Sequence, residues 1–83
     1  MIAITLYSRP GCHLCDDMKA IVARVVRVVS PSAIVEEIDI SSDPDLESRY
    51  GTEIPVLMVN GKKAAKYRVT ENALRRMLNE LAR

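Results

Sequence analysis

The sequence predicts an α/β domain, a four-stranded mixed sheet with flanking helices in the order βαβαββα. Three observations predict it. The apolar period lengthens from two to that of a helix at Cys12. An unbroken apolar run, Pro55 to Val59, ends in Asn60-Gly61, and a second helical period follows Thr70. A chain of 83 residues has room for one core, so residues 1–83 are expected to form a single domain.

Ile2 to Tyr7 alternates apolar with small or polar positions and reads as the first strand. Ser8-Arg9-Pro10-Gly11 is a turn: proline fixes one dihedral and glycine frees the chain just before Cys12. Leu14, Met18, Ile21, Val25 and Val28 then recur at helical spacing, with Val22 and Val29 widening the stripe. This predicts a helix of about four turns with that face buried. Asp16 and Asp17 suit its start, Arg24 and Arg27 its end, and Ser30-Pro31 stops it. Ala33 to Ile40 is the second strand. Asp43 as cap, Pro44 at the first position and Gly51 at the end predict a short helix.

Pro55 to Val59 reads as a central strand buried on both faces, with its proline at the first position, where no ladder amide is needed. Asn60-Gly61 signals a hairpin, so Lys62 to Tyr67 returns antiparallel. Lys62, Lys63, Lys66 and Arg68 carry four positive charges with no acid among them, as suits an edge strand guarded against self-pairing, the alternative being a docking patch for an acidic partner. Thr70 caps a last helix whose Leu74, Met77, Leu78 and Leu81 are expected to face inward. The long first helix suits a right-handed crossover between parallel strands.

Composition narrows the function. Twelve basic and eleven acidic residues leave a net charge of +1, which favours neither nucleic acid nor a membrane surface. No stretch approaches the roughly 20 apolar residues of a bilayer span, and the first residues lack the pattern of a signal peptide. A monomer in the reducing cytoplasm is therefore expected, where two cysteines serve chemistry or metal binding more readily than a permanent bridge.

Cys12-His13-Leu14-Cys15 falls where the first strand gives way to the first helix. Residues three apart share a helix face with Cα atoms roughly 5 Å apart, inside disulfide range. Cys12 lies at the helix start, where unpaired amides favour its thiolate, the attacking species. Cys15, one turn inside, is placed to resolve a mixed disulfide. His13 is a candidate modulator of the thiolate, and Arg9 adds positive potential three residues before Cys12. Zinc needs two more ligands, and His13 sits awkwardly between the cysteines, so no metal site is expected.

These residues resemble a family. Ile4 through Cys15, with a basic residue three before the first cysteine, is similar to the opening of glutaredoxins in the thioredoxin superfamily. Ile54-Pro55-Val56-Leu57 resembles that superfamily's cis-proline segment. The resemblance implies a thioredoxin-like fold and thiol–disulfide oxidoreductase activity on protein disulfides or glutathione mixed disulfides. In that reading Cys12 attacks and Cys15 resolves, and Pro55 is cis. The Ile54 backbone pairs with the substrate, and Arg9 meets a glutathione carboxylate. It implies no tightly bound cofactor, with glutathione as a co-substrate, and electrons from glutathione or a donor of the thioredoxin-reductase type. Two departures stand out. His13-Leu14 replaces the usual Pro-Tyr, and Tyr67-Arg68-Val69-Thr70-Glu71 contains no Gly-Gly, which predicts weak turnover with glutathione. Two alternatives keep the fold without redox turnover. An iron–sulfur carrier would show visible absorbance after reconstitution, and a binding module would dock its partner with both cysteines replaced.

Overall fold

A computed structural model of the chain describes residues 2–81. The elements are β1 (Ala3–Ser8), α1 (His13–Val29), β2 (Ile34–Asp39), a 3-10 turn (Ile40–Ser42), α2 (Pro44–Tyr50), β3 (Val56–Val59), β4 (Lys62–Lys66) and α3 (Glu71–Leu81). Strand order is β2-β1-β3-β4, with β1 parallel to β2 and antiparallel to β3, and β4 antiparallel to β3. This is the predicted mixed α/β sheet. Among the described residues no helix is long and apolar enough to cross a membrane.

The hairpin forms as Asn60-Gly61 requires, with both residues at positive φ (52° and 82°), the twist that joins two strands through a two-residue loop. Asn60 also ties it to β1: its Oδ1 accepts the Ala3 N–H at 2.9 Å, and its own N–H reaches the Ala3 carbonyl at 2.8 Å. The lysine-rich strand β4 is indeed an edge, and Lys63 pairs with Glu53 at 2.6 Å.

The main core lies between the sheet and α1 with α3, built from Ile4, Leu6, Met18, Val22, Leu57, Leu74 and Leu78. On the other side of β1, Tyr7 stacks on Tyr50 at the end of α2, with ring centroids 4.5 Å apart.

Several expectations are corrected. Val28 is 74% exposed, and the buried residues of α1 are Cys15, Met18, Val22, Val25 and Val26. The buried face is centred between Met18 and Val22, and at 3.6 residues per turn Val28 falls about 110° from it. Leu14 and Ile21 are half-buried on its flank. Leu81 is 48% exposed: Leu74 and Leu78 carry the contact with the core, and Leu81 falls past them in the last turn. Ser8 belongs to β1 rather than to the turn. The second strand stops at Asp39 because Asp39 accepts the Ser41 N–H at 2.9 Å and turns the chain, burying Ile40.

Ser8 is the one buried polar residue among the described residues, and its hydroxyl donates to Glu37 at 3.1 Å. Lys19 of α1 closes on the same carboxylate at 2.9 Å. The Lys19 hydrogen bond, with a smaller one from Ser8, holds the Glu37 carboxyl below its ordinary value. Hydrogen bonds from Ser41 lower Asp39, and one from Lys63 lowers Glu53. Each of these groups binds a proton less readily folded than unfolded. Their contribution is therefore present above the ordinary carboxyl range and lost as pH falls through the folded values. The thermal midpoint is expected to fall on acidification below roughly pH 4, and Glu37→Gln to flatten part of that fall. A variant with an unchanged acid limb would contradict this.

Candidate active site

The loop that leaves β1 delivers both cysteines to one place. Gly11 takes a left-handed φ of +79°, which turns Cys12 into extended geometry as the cap of α1. The Cys12 sulfur accepts the backbone N–H of Cys15 at 3.0 Å, and the Cys12 carbonyl accepts that of Asp16 at 3.1 Å. The sulfur thus occupies the seat that a serine or aspartate oxygen takes at other helix starts, where amides and dipole favour negative charge. Cys15 lies one turn inside and is only 2% exposed, whereas Cys12 is half-buried. Their Cα atoms are 5.2 Å apart, and the two sulfurs are joined as a disulfide. A reagent approaching from solvent meets Cys12 first.

The sheet register brings the proline to the same end. Tyr7 pairs with Val56, so Pro55 lies beside the last residue of β1, where the chain departs for Cys12. The Ile54-Pro55 peptide is cis and Pro55 is fully buried. The Pro55 carbonyl accepts the Tyr67 N–H at 2.8 Å. Ile54 enters neither ladder, and its backbone makes no hydrogen bond among the described residues. An unpaired backbone at such a position can accept an added strand.

Arg9 is not free. Its guanidinium is bound by the carboxylate of Glu47 on α2. Gly51 makes room for this pair: a Cβ there would come within 3.1 Å of Glu47 Oε1, 3.5 Å of Arg9 Nη2 and 2.5 Å of the Glu47 carbonyl. His13 is exposed and makes no hydrogen bond or ion pair among the described residues. Nor is any group of three His, Cys, Asp or Glu side chains there placed to hold a metal ion.

The roles of two residues escaped the sequence reading. Glu47 carries no motif, and only the packing of α2 reveals its partner. Tyr67 stands at φ 67°, a left-handed conformation rare for a bulky side chain, and its hydroxyl donates to the Thr52 carbonyl at 3.0 Å. It braces the 51–55 loop that carries Pro55. The signal for it was the glycine-free stretch Tyr67 to Glu71, where the resemblance implies a Gly-Gly, residues suited to such a backbone. Between this turn and α1 runs a groove of about 510 Å³ floored by Leu14, Met18, Ile21 and Val69.

A βαβαββα chain with a C-x-x-C pair at disulfide distance at the start of its first helix has the thioredoxin fold. Among solved structures, chloroplastic thioredoxin z superposes with a TM-score of 0.79 over 99% of this chain and 79% of that one, at 13% identity. The chain belongs to the glutaredoxin-like family: residues 3–79 match the family described as Glutaredoxin-like domain (DUF836). A glutaredoxin-like protein of Dictyostelium discoideum is 32% identical over 77 residues, covering 88% of this chain and 71% of that protein. A structural-genomics target protein from X. campestris is 30% identical with a TM-score of 0.76, over 93% of this chain and 96% of that one.

Proposed function

We propose that this chain is a thiol–disulfide oxidoreductase that reduces disulfides in protein substrates. The observation that carries the reading is the Cys12 sulfur seated on the Cys15 amide with Cys15 buried behind it. In the reduced protein the Cys12 thiolate attacks one sulfur of the substrate disulfide. A Cys12–substrate disulfide forms, and the other substrate sulfur leaves as a thiolate and takes up a proton. Cys15 then loses its proton and attacks the Cys12 sulfur, closing the Cys12–Cys15 disulfide and releasing the second substrate thiolate. The substrate gains two electrons and two protons. Two donor thiols return the pair to the reduced form.

Ile54 and Pro55 contribute the backbone edge on which an extended substrate segment pairs, which gives affinity with little side-chain specificity. The open apolar floor from Leu14 to Val69 suits polypeptide. Arg9 reaches the substrate side of the loop only in competition with Glu47, and His13 is a solvent-facing modulator. A reducing cytoplasm is the compartment in which such a dithiol is recycled.

Disulfide reduction driven by a reductase of the thioredoxin-reductase type is expected to exceed that driven by glutathione with its own reductase. The stretch Tyr67 to Glu71 lacks the Gly-Gly that the resemblance implies, and Glu47 engages Arg9. A high rate with glutathione alone would overturn this choice of donor. Absence of turnover with either donor would overturn the oxidoreductase reading itself.

A further inference from the structure

We propose that Glu47 is a specificity-determining residue of this site: by holding the Arg9 guanidinium it withholds from an incoming substrate the one basic side chain that precedes Cys12, and so disfavours small carboxylate-bearing thiols and disulfides. The inference rests on the oxidoreductase reading and names the class of substrate which that site rejects.

Arg9 is the only Lys or Arg before Lys19. It lies three positions before Cys12, a span of at most about 11 Å between Cα atoms, close to the screening length of physiological salt. A free cation there attracts an anionic reagent approaching the Cys12 sulfur. Glu47 opposes that attraction, because its carboxylate lies directly on the guanidinium, and Asp39 is a second, more distant acid within the field of Arg9. The arrangement is built rather than incidental. Gly51 leaves the space that the pair fills, and any larger residue there meets the Glu47 carbonyl and side chain. The second Glu47 oxygen, Oε2, is enclosed and has no hydrogen-bond partner among the described residues, so the carboxylate is committed to Arg9 through Oε1 alone. The pair is also partly exposed, with side-chain accessibilities of 37% and 41%. A partly exposed pair is weak. A carboxylate on a substrate can therefore compete for Arg9, and Glu47 acts as a graded filter rather than an absolute block.

The test compares alkylation of the reduced protein by iodoacetate, which is anionic, and by iodoacetamide, which is neutral. Both displace iodide from carbon with the same sulfur nucleophile, so the ratio of their Cys12 rates reads charge and not intrinsic reactivity. Glu47→Gln keeps the shape of the side chain. It is expected to raise the iodoacetate-to-iodoacetamide ratio about threefold at low ionic strength, less at high salt, and not at all when combined with Arg9→Gln. An unchanged ratio in Glu47→Gln, or a rise that persists in the double variant, would overturn the role of Glu47. Failure of Cys12 to outpace Cys15 with iodoacetamide in every variant is a separate result, and it would overturn the oxidoreductase reading instead.

Discussion

Cys12→Ser is expected to reduce disulfide turnover to the uncatalysed background, and Cys15→Ser to stop the proposed cycle one step later. The two outcomes differ because the two sulfurs differ in surroundings. Cys12 is accessible and holds an amide of the first turn of α1. Cys15 is buried against the core and meets only what Cys12 has already bound. Without Cys12 nothing attacks a substrate disulfide, since the remaining thiol is shielded. Without Cys15 the attack still proceeds, and the mixed disulfide accumulates until an external thiol cleaves it. An assay regenerated by a reductase of the thioredoxin-reductase type, with no free small thiol present, separates the cases: no product is expected from Cys12→Ser, and a single burst from Cys15→Ser. Full activity in the serine variant of Cys12 would remove the assignment.

Leu57→Ala is expected to destabilise the domain by about 3 kcal/mol, within the range for a buried leucine whose cavity cannot fully collapse. Leu57 is fully buried in β3, opposite Leu6 of β1 and Ala65 of β4, and faces the cluster formed with α1 and α3. A domain this small has a stability on the order of 5 kcal/mol. The loss should be visible as a large drop in the urea midpoint with little change in slope. Residual structure will matter near the site, because β3 also carries the register that sets Pro55 beside Ser8. A cost below about 1 kcal/mol would show that β3 is not the central packing strand.

Most of the fold was legible because local signals and global packing agree. Asn60-Gly61 dictated a hairpin, Asp43-Pro44 dictated a helix start, and the run through Val56 and Leu57 dictated a strand inside the sheet. The errors arose where periodicity alone was followed. Leu14, Ile21 and Val28 lie at good helical spacing, yet they form the flank of α1, because the sheet sets the burial angle through Met18 and Val22. Ile40 looked like the end of a strand, and a single Asp39 side chain turned it into a 3-10 turn.

The candidate site was legible to the same degree. The spacing and placement of Cys12 and Cys15 follow from short-range rules of helix geometry, so sequence was enough to bring them together. The partner of Arg9 is 38 residues away on another element. No local pattern marks Glu47, since a glutamate on a short exposed helix reads as solvent-facing. Tyr67 reads as the end of a strand and as part of a stretch without glycine, whereas the strand ends at Lys66, and the left-handed Tyr67 backbone and its bonds to Pro55 and Thr52 needed the tertiary fold.

The central claim is that a nucleophilic sulfur sits at the head of α1 with its resolving mate one turn behind. Its most direct test is to mix the reduced Cys15→Ser protein with a disulfide substrate and map the adduct by mass. A covalent substrate–protein disulfide located at Cys12, released by dithiothreitol and absent from Cys12→Ser, is the predicted result. No adduct, with the Cys12 thiol still free after prolonged incubation, would contradict it.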